Sequence, residues 1–266
     1  MKQLSNETIR VLFIGDIVGK PGRAAVRLAL PEIKKKEKID FVLANGENLA
    51  SGKGITYPKY LEMIESGIDY FTSGNHVWNN QEIIPYLDDP SVKILRPENC
   101  QSGCPGRGIA NLSKNIVLVN LQGRVFMKDE VSDPFVLAKN IAQEYSKSII
   151  IIDFHAEATS EKVALGYYLD GEVAAFLGTH THVQTADEKI LPSGTAYITD
   201  VGMTGPSESV LGVEKKIIIE KFLTQLPKSH KVARGEMIFS AVILEINTKT
   251  KKALKIKRIQ KLISSN

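Results

Sequence analysis

Four of the five histidines in this 266-residue chain fall in short motifs that also hold acidic or amide side chains. His76 follows Asn75 in SGNH, His155 stands in DFHAE, and His180 and His182 share GTHTH. Asp16 closes FIGD, and Glu47 and Asn48 close ANGEN. Only His230, in the polar segment PKSHK, stands apart. Each motif alone has a plain structural reading. An Asp after a strand is most often a turn residue or helix cap, Asn-His can hydrogen-bond its own loop, and His155 by itself reads as a satisfied structural histidine. His-x-His is more pointed, because on an extended chain residues two apart face the same way. Taken jointly the balance reverses, since independent capping needs give no reason for all these groups to gather at the ends of apolar runs. Imidazole, carboxylate and amide ligands suit Fe, Mn or Zn, and the lack of Cys ligands argues against an iron–sulfur or structural zinc centre. Two divalent ions about 3.5–4 Å apart can clamp a phosphoryl group and activate a bridging water. With only Asp16 and Glu47 ionised among the ligands, two dications leave a net positive site that attracts phosphate and stabilises the charge growing during attack.

Competing motifs fail. GDIVGKPGR has the look of a nucleotide-binding loop, but its spacing misses the Walker pattern, Pro21 stands where Ser or Thr is required, and no G-x-G-x-x-G occurs. A serine hydrolase would need a G-x-S-x-G that is absent. SGKGITY follows the Glu47 motif directly. Its glycines could bring backbone N–H groups and Lys53 to a substrate phosphate, or it could be a solvated turn; the two readings weigh about equally.

The elements that must position these groups alternate along the chain. Arg10 to Asp16 reads as a buried strand and a helix follows from Pro21, since Pro suits a first helical turn. Residues 41–45 form the next strand, 57–66 a helix ended by Gly67, DYFTSGN a third strand, and Ile83, Ile84 and Leu87 mark another helix. Residues 116–123 and 148–155 read as strands with a helix over 135–145 between them. Residues 173–182 and 195–202 are further strands, and MIFSAVILEI and ALKIKRI are two more joined by a polar turn. No internal repeat, low-complexity tract or long linker divides the chain, so residues 1–266 read as one α/β domain with a mixed sheet system. Ligands in such folds gather outside the carboxyl ends of the strands, which is where these motifs fall.

Composition permits this and excludes little else. The chain is 43% hydrophobic and 24% charged, which is ordinary for a globular protein. A net charge of +4 is compatible with phosphate ligands without establishing nucleic-acid binding, so RNA stays open as a partner. The basic tail KTKKALKIKRIQK reads as a strand with one solvated face rather than a nucleic-acid patch. No apolar run reaches the roughly 18 residues of a membrane span, and MKQLSNET is too polar for a signal peptide, so a cytoplasmic location is the default. Cys100 and Cys104, in a Gly/Pro-rich loop, read as incidental thiols.

The motifs together resemble the calcineurin-like metallophosphoesterases, whose pattern runs Asp, a bridging acid, Gly-Asn-His, a His, and Gly-His-x-His. More narrowly, the chain resembles the YmdB-like bacterial phosphodiesterases almost end to end, through FIGDIVGKPG, ANGENLASGKGIT, SGNHVW, PGRG, DFHAEATSEK, YLDG, LGTHTHVQTAD and TDVGMTG. Two departures from the wider superfamily, the missing Asp-x-His after FIGD and Glu47 in place of a bridging Asp, match the narrower family. The resemblance implies an α-β-β-α sandwich of two mixed sheets flanked by helices, with two metal ions, often iron, at the sheet edge. Asp16, Asn48 and His182 would hold one ion, Asn75, His155 and His180 the other, and Glu47 would bridge. The implied reaction is hydrolysis of a small phosphodiester, in particular 2′,3′-cyclic nucleoside monophosphates. A metal-bridging hydroxide would attack, and His76, beside a ligand but not one itself, would protonate the leaving oxygen. A homo-oligomer is implied by the same analogy. A phosphomonoesterase, or a regulatory metal-binding protein with little turnover, are the rival readings. Asp200 and Thr204, in TDVGMTG, would either orient the GTHTH loop or form a simple turn.

Overall fold

The apolar runs become strands buried on both faces, and their alternation divides three apolar layers. This is seen in a computed structural model that describes residues 7–113 and 115–264. The first half of the chain supplies β1 (Thr8–Ile14), β2 (Asp16–Ile17), α1 (Gly19–Lys36), β3 (Phe41–Asn45), α2 (Tyr57–Glu65), β4 (Tyr70–Thr72) and α3 (Ile84–Leu87). The middle supplies β5 (Ile109–Ser113), β6 (Ile116–Gln122), α4 (Pro134–Glu144), β7 (Ile149–His155), α5 (Thr159–Tyr168) and β8 (Ala175–Thr179). Then come β9 (Lys189–Ile190), β10 (Ala196–Ile198), β11 (Met203–Pro206), α6 (Lys215–Thr224), β12 (Met237–Asn247) and β13 (Ala253–Ile263).

One sheet runs β2-β11-β12-β1-β3-β4, with β13 also paired to β12, and the other runs β5-β6-β7-β8-β10-β9. Both are mixed. β1, β3 and β4 are mutually parallel while β12 is antiparallel to β1; β6, β7, β8 and β10 are parallel while β5 and β9 run against them. Ile9, Val11 and Phe13 of β1 face the second sheet, where they meet Leu118, Ile151 and Leu177. The intervening Leu12 and Ile14 face outward onto Val26, Ala29, Leu30 and Ile33 of α1, the spacing of one helical stripe. On the far side Val119, Ile152 and Phe154 pack against Ala138, Ile141 and Leu165 of α4 and α5. The result is the four-layer α-β-β-α sandwich of two mixed sheets that the sequence implied.

Several elements escaped the sequence reading. β2 and β9 have two residues each and β11 ends in Gly-Pro, all too short for periodicity to register. α6 buries none of its residues, so no apolar stripe marks it. The basic tail forms β13, which pairs with β12, and three of the strand's four cations are ion-paired, Lys257 with Glu37, Arg258 with Glu188 and Lys261 with Glu32. No described helix is long and apolar enough to cross a membrane.

Candidate metal centre

The parallel strands of both sheets deliver their carboxyl ends to one place. β1 passes through Gly15 into Asp16, β3 leads into Glu47 and Asn48, and β4 into Asn75 and His76; β7 ends on His155, and β8 leads into His180 and His182. The first five groups come from one sheet and the three remaining histidines from the other.

The three histidines are oriented by what their outer nitrogens bond. His155 Nδ1 lies 2.9 Å from the Thr179 hydroxyl, which itself donates to Asp153 Oδ1 at 2.8 Å. The hydroxyl's proton is therefore engaged, so it accepts from His155 Nδ1–H and leaves Nε2 facing inward. His180 turns its Nε2 to the Glu157 carboxylate at 3.1 Å and its Nδ1 inward, 2.9 Å from His155 Nε2. His182 Nδ1 donates to the Leu211 carbonyl at 3.0 Å, so its Nε2 is the free nitrogen, 3.2 Å from Asn48 Oδ1 and 3.8 Å from Asp16 Oδ1. The Asn48 amide donates to the Gly52 carbonyl, which fixes its oxygen toward His182.

Two convergent groups result. Glu47, His155 and His180 place ligand atoms within 4.8 Å of one another, with Glu47 Oε2 3.0 Å from His155 Nε2. Asp16, Asn48 and His182 form the second. Carboxylate and amide oxygens crowd against imidazole nitrogens in both, an arrangement that a cation satisfies. Asp16 Oδ1 and Asn75 Oδ1 are buried without a hydrogen-bond partner, and buried acceptors are rarely left so unless something else satisfies them. The donor set is hard to borderline, with no thiolate, and fits divalent Fe, Mn or Zn. Gly74 is required here: a Cβ on it would lie 2.2 Å from His155 and 2.3 Å from the Glu47 carboxylate.

Charge tells the same story. Burial pushes the Glu47 carboxyl up, but His155 and His76 outweigh it and hold it well below the usual carboxylate range. For His155 burial works against protonation, yet Glu47, Asp16 and Asp153 raise it to about 9. The ground between Glu47 and His155 thus favours a positive charge, whether a proton or a metal ion. His180 is lowered to about 3 by burial and by the positive charge on His155, so its inward nitrogen keeps a lone pair. Burial raises Asp16.

His76 sits at the rim with a quarter of its side chain exposed, and its Nδ1 lies 3.0 Å from Glu47 Oε1. It lies outside the tight ligand group. Lys53 is exposed on a turn whose residues Ser51, Gly52 and Gly54 all have positive φ.

Two expectations need correction. GTHTH is not extended: β8 stops at Thr179, and His180 and His182 take φ of 103° and 65°. The histidines therefore aim at different halves of the site rather than the same one, and this left-handed backbone is strain stored where ligands are placed. Thr204 does not touch that loop; its hydroxyl ties β11 to Ser240 of β12. Asp200 does hold the loop, accepting from Thr181 N and Thr181 Oγ1 at 3.0 and 2.8 Å. Sequence reasoning missed its partner Lys162, fully buried, which donates to Asp200 Oδ2 and the Thr179 carbonyl at 2.8 Å each. It also missed Asp153, which accepts from Asn45 and Thr72 of the other sheet. Cys100 and Cys104 are free thiols, and burial raises Cys100 to about 12, which suits an inert role.

The chain is similar to known proteins along almost its whole length. The family model described as YmdB-like protein matches residues 12–259. The 2′,3′-cyclic-nucleotide 2′-phosphodiesterase of Bacillus subtilis (strain 168) is 50% identical over 256 residues, covering 94% of this chain and 96% of that protein. The crystal structure of a novel phosphatase from Mycoplasma pneumoniae superposes with a TM-score of 0.91 at 34% identity, covering 97% of this chain and 94% of that one. The crystal structure of a hypothetical protein from Thermus thermophilus gives 0.89 at 40% identity, with 96% and 99% covered.

Proposed function

This chain belongs to the YmdB-like protein family and is a hydrolase of phosphodiester bonds; we propose that residues 1–266 form one metallophosphoesterase domain that hydrolyses 2′,3′-cyclic nucleoside monophosphates with two metal ions. The observation that carries this reading is the inward set of three imidazole nitrogens facing Glu47, Asp16 and Asn48, with two buried acceptors left unpaired. Asp16, Asn48 and His182 would hold one ion, Asn75, His155 and His180 the other, with Glu47 shared; iron is preferred, and manganese or zinc fit the same donors. Bound there, the ions would supply Lewis acidity at the phosphoryl oxygens and make water nucleophilic at neutral pH.

The chain's own groups do the rest. Thr179, Glu157 and the Leu211 carbonyl each hold one N–H of His155, His180 and His182, so the opposite nitrogens stay available without reorganisation. His76 has its Nδ1 against Glu47 and a quarter of its side chain open to solvent, and its Nε2 can pass a proton to the departing sugar oxygen. Lys53 stands at the mouth to meet the anionic substrate.

The test is an assay of the metal-reconstituted protein on 2′,3′-cyclic AMP, bis-p-nitrophenyl phosphate and p-nitrophenyl phosphate, with Glu47→Gln as control. Turnover of the diesters, abolished by the substitution, is the expected result. Turnover of the monoester alone would make the protein a phosphomonoesterase. No turnover of any of the three with both ions bound would point to a regulatory metal protein or to an untested substrate.

A further inference from the structure

His230, which the sequence set apart from the ligand motifs, lines the same cavity as His182. That cavity holds about 550 Å³, within the range of sites that enclose small organic ligands. Its wall is built from the Ser51–Lys53 turn, from Leu211–Val213, and from the segment running from Lys228 to Val232. Val232 pins that segment in place. Its methyl groups lie 3.2 Å and 3.0 Å from where a Cβ would stand on Gly19 and Gly52, two glycines with positive φ. The walls are therefore packed to each other and do not rest on solvent.

The lining combines apolar Val18, Leu211, Val213 and Val232 with basic Lys53, Lys228 and His230. No carboxylate lines it. Lys228 is ion-paired with Glu220, but Lys53 has no acidic partner among the described residues. His230 feels that excess: partial burial and then the ammonium groups of Lys221 and Lys53 push its pKa down. An anion in the cavity would relieve Lys53 and His230 together. The scissile phosphate is not that anion, because the inward nitrogens of the ligand histidines already define where it must sit.

Resting on the phosphodiesterase reading above, we propose that this cavity is a second phosphate subsite, in which Lys53 and His230 bind the 5′-phosphate of a nucleotide whose cyclic phosphate lies at the metal centre. The preferred substrates are then cyclic nucleotides carrying phosphate on the 5′-oxygen, whether as a free monoester or as the linkage to a preceding nucleotide.

Equilibrium binding to the metal-loaded protein reads the subsite without turnover. Adenosine 3′,5′-bisphosphate should bind about tenfold tighter than adenosine 3′-monophosphate, the size of one charge-assisted contact. His230→Ala and Lys53→Ala should each reduce that ratio to within about threefold. The ratio of kcat/KM for 5′-phosphorylated 2′,3′-cyclic AMP over 2′,3′-cyclic AMP should follow the same pattern, with the difference in KM. A dinucleotide ending in a 2′,3′-cyclic phosphate separates the two sources: equal preference marks the linkage as sufficient, a smaller one marks the free monoester. Equal binding of the two adenosine phosphates, or a preference untouched in both variants, overturns the proposal. A binding preference without any diester turnover leaves the subsite standing and overturns the phosphodiesterase reading instead.

Discussion

At the scale of single residues, His76 is more exposed than the three histidines proposed as ligands. His76 touches Glu47 with one ring nitrogen and has a quarter of its side chain open to solvent, whereas His155 is wholly enclosed. A proton donor needs that access and a ligand does not. His76→Ala should therefore lower turnover of 2′,3′-cyclic AMP by roughly 10²–10⁴-fold, the usual worth of general acid catalysis, with metal content near two ions per chain. Bis-p-nitrophenyl phosphate should lose much less, because its leaving group needs no proton. Loss of metal in the variant would make His76 a ligand and remove the assignment. Asp16 Oδ1 and Asn75 Oδ1 carry the complementary signature, buried acceptor atoms with no hydrogen-bond donor.

At the scale of elements, the strained β8–β10 connection is held from beneath by α5. Lys162 reaches from that helix to the Thr179 carbonyl and Asp200, and Asp200 accepts from Thr181 between the two histidines. Both ions of the Lys162–Asp200 pair are fully buried, so removing one partner strands the other charge. Lys162→Met should cost about 3–5 kcal/mol of stability, read by thermal or denaturant unfolding, and should weaken metal binding in a titration because His180 and His182 lose their fixed aim. Unchanged metal affinity in a destabilised variant would reduce Lys162 to a structural role.

Across the whole molecule, the candidate centre is a seam. Asp16, Glu47, Asn48 and Asn75 come from one sheet and His155, His180 and His182 from the other. Beneath them Asn45 and Thr72 bridge to Asp153 across the same divide. Ions bound there would clamp the sheets together and stabilise the folded state alone. Metal at a hundred times its dissociation constant adds about 2.7 kcal/mol, so chelation should lower Tm by about 5–10 °C for a chain of this size. A Tm indifferent to chelation and to added Fe, Mn or Zn would count against a centre that spans both sheets.

How much of this the sequence determined can be read from the same residues. Apolar runs ending in Asp16, Glu47, Asn75, His155 and His180 were legible because a buried parallel strand is a local pattern, and its carboxyl end is where the chain must turn polar. A single α/β domain with mixed sheets followed from their alternation with helices, whereas the four-layer sandwich was implied by the family resemblance. Left to the tertiary structure were the aims of the side chains. His180 and His182 diverge because their backbone leaves the extended region, which no spacing rule anticipates. Asp153, Glu157 and Lys162 all lie within DFHAEATSEK, but spacing gave them no role, since each is defined by a partner distant in sequence: Asn45, His180 and Asp200. His230 stood apart from the ligand motifs in the sequence; the packing of Val232 on two glycines is what brings it to the cavity. Sequence encodes periodicity and turn chemistry locally, whereas lone pairs from two sheets face one another only once both sheets have formed.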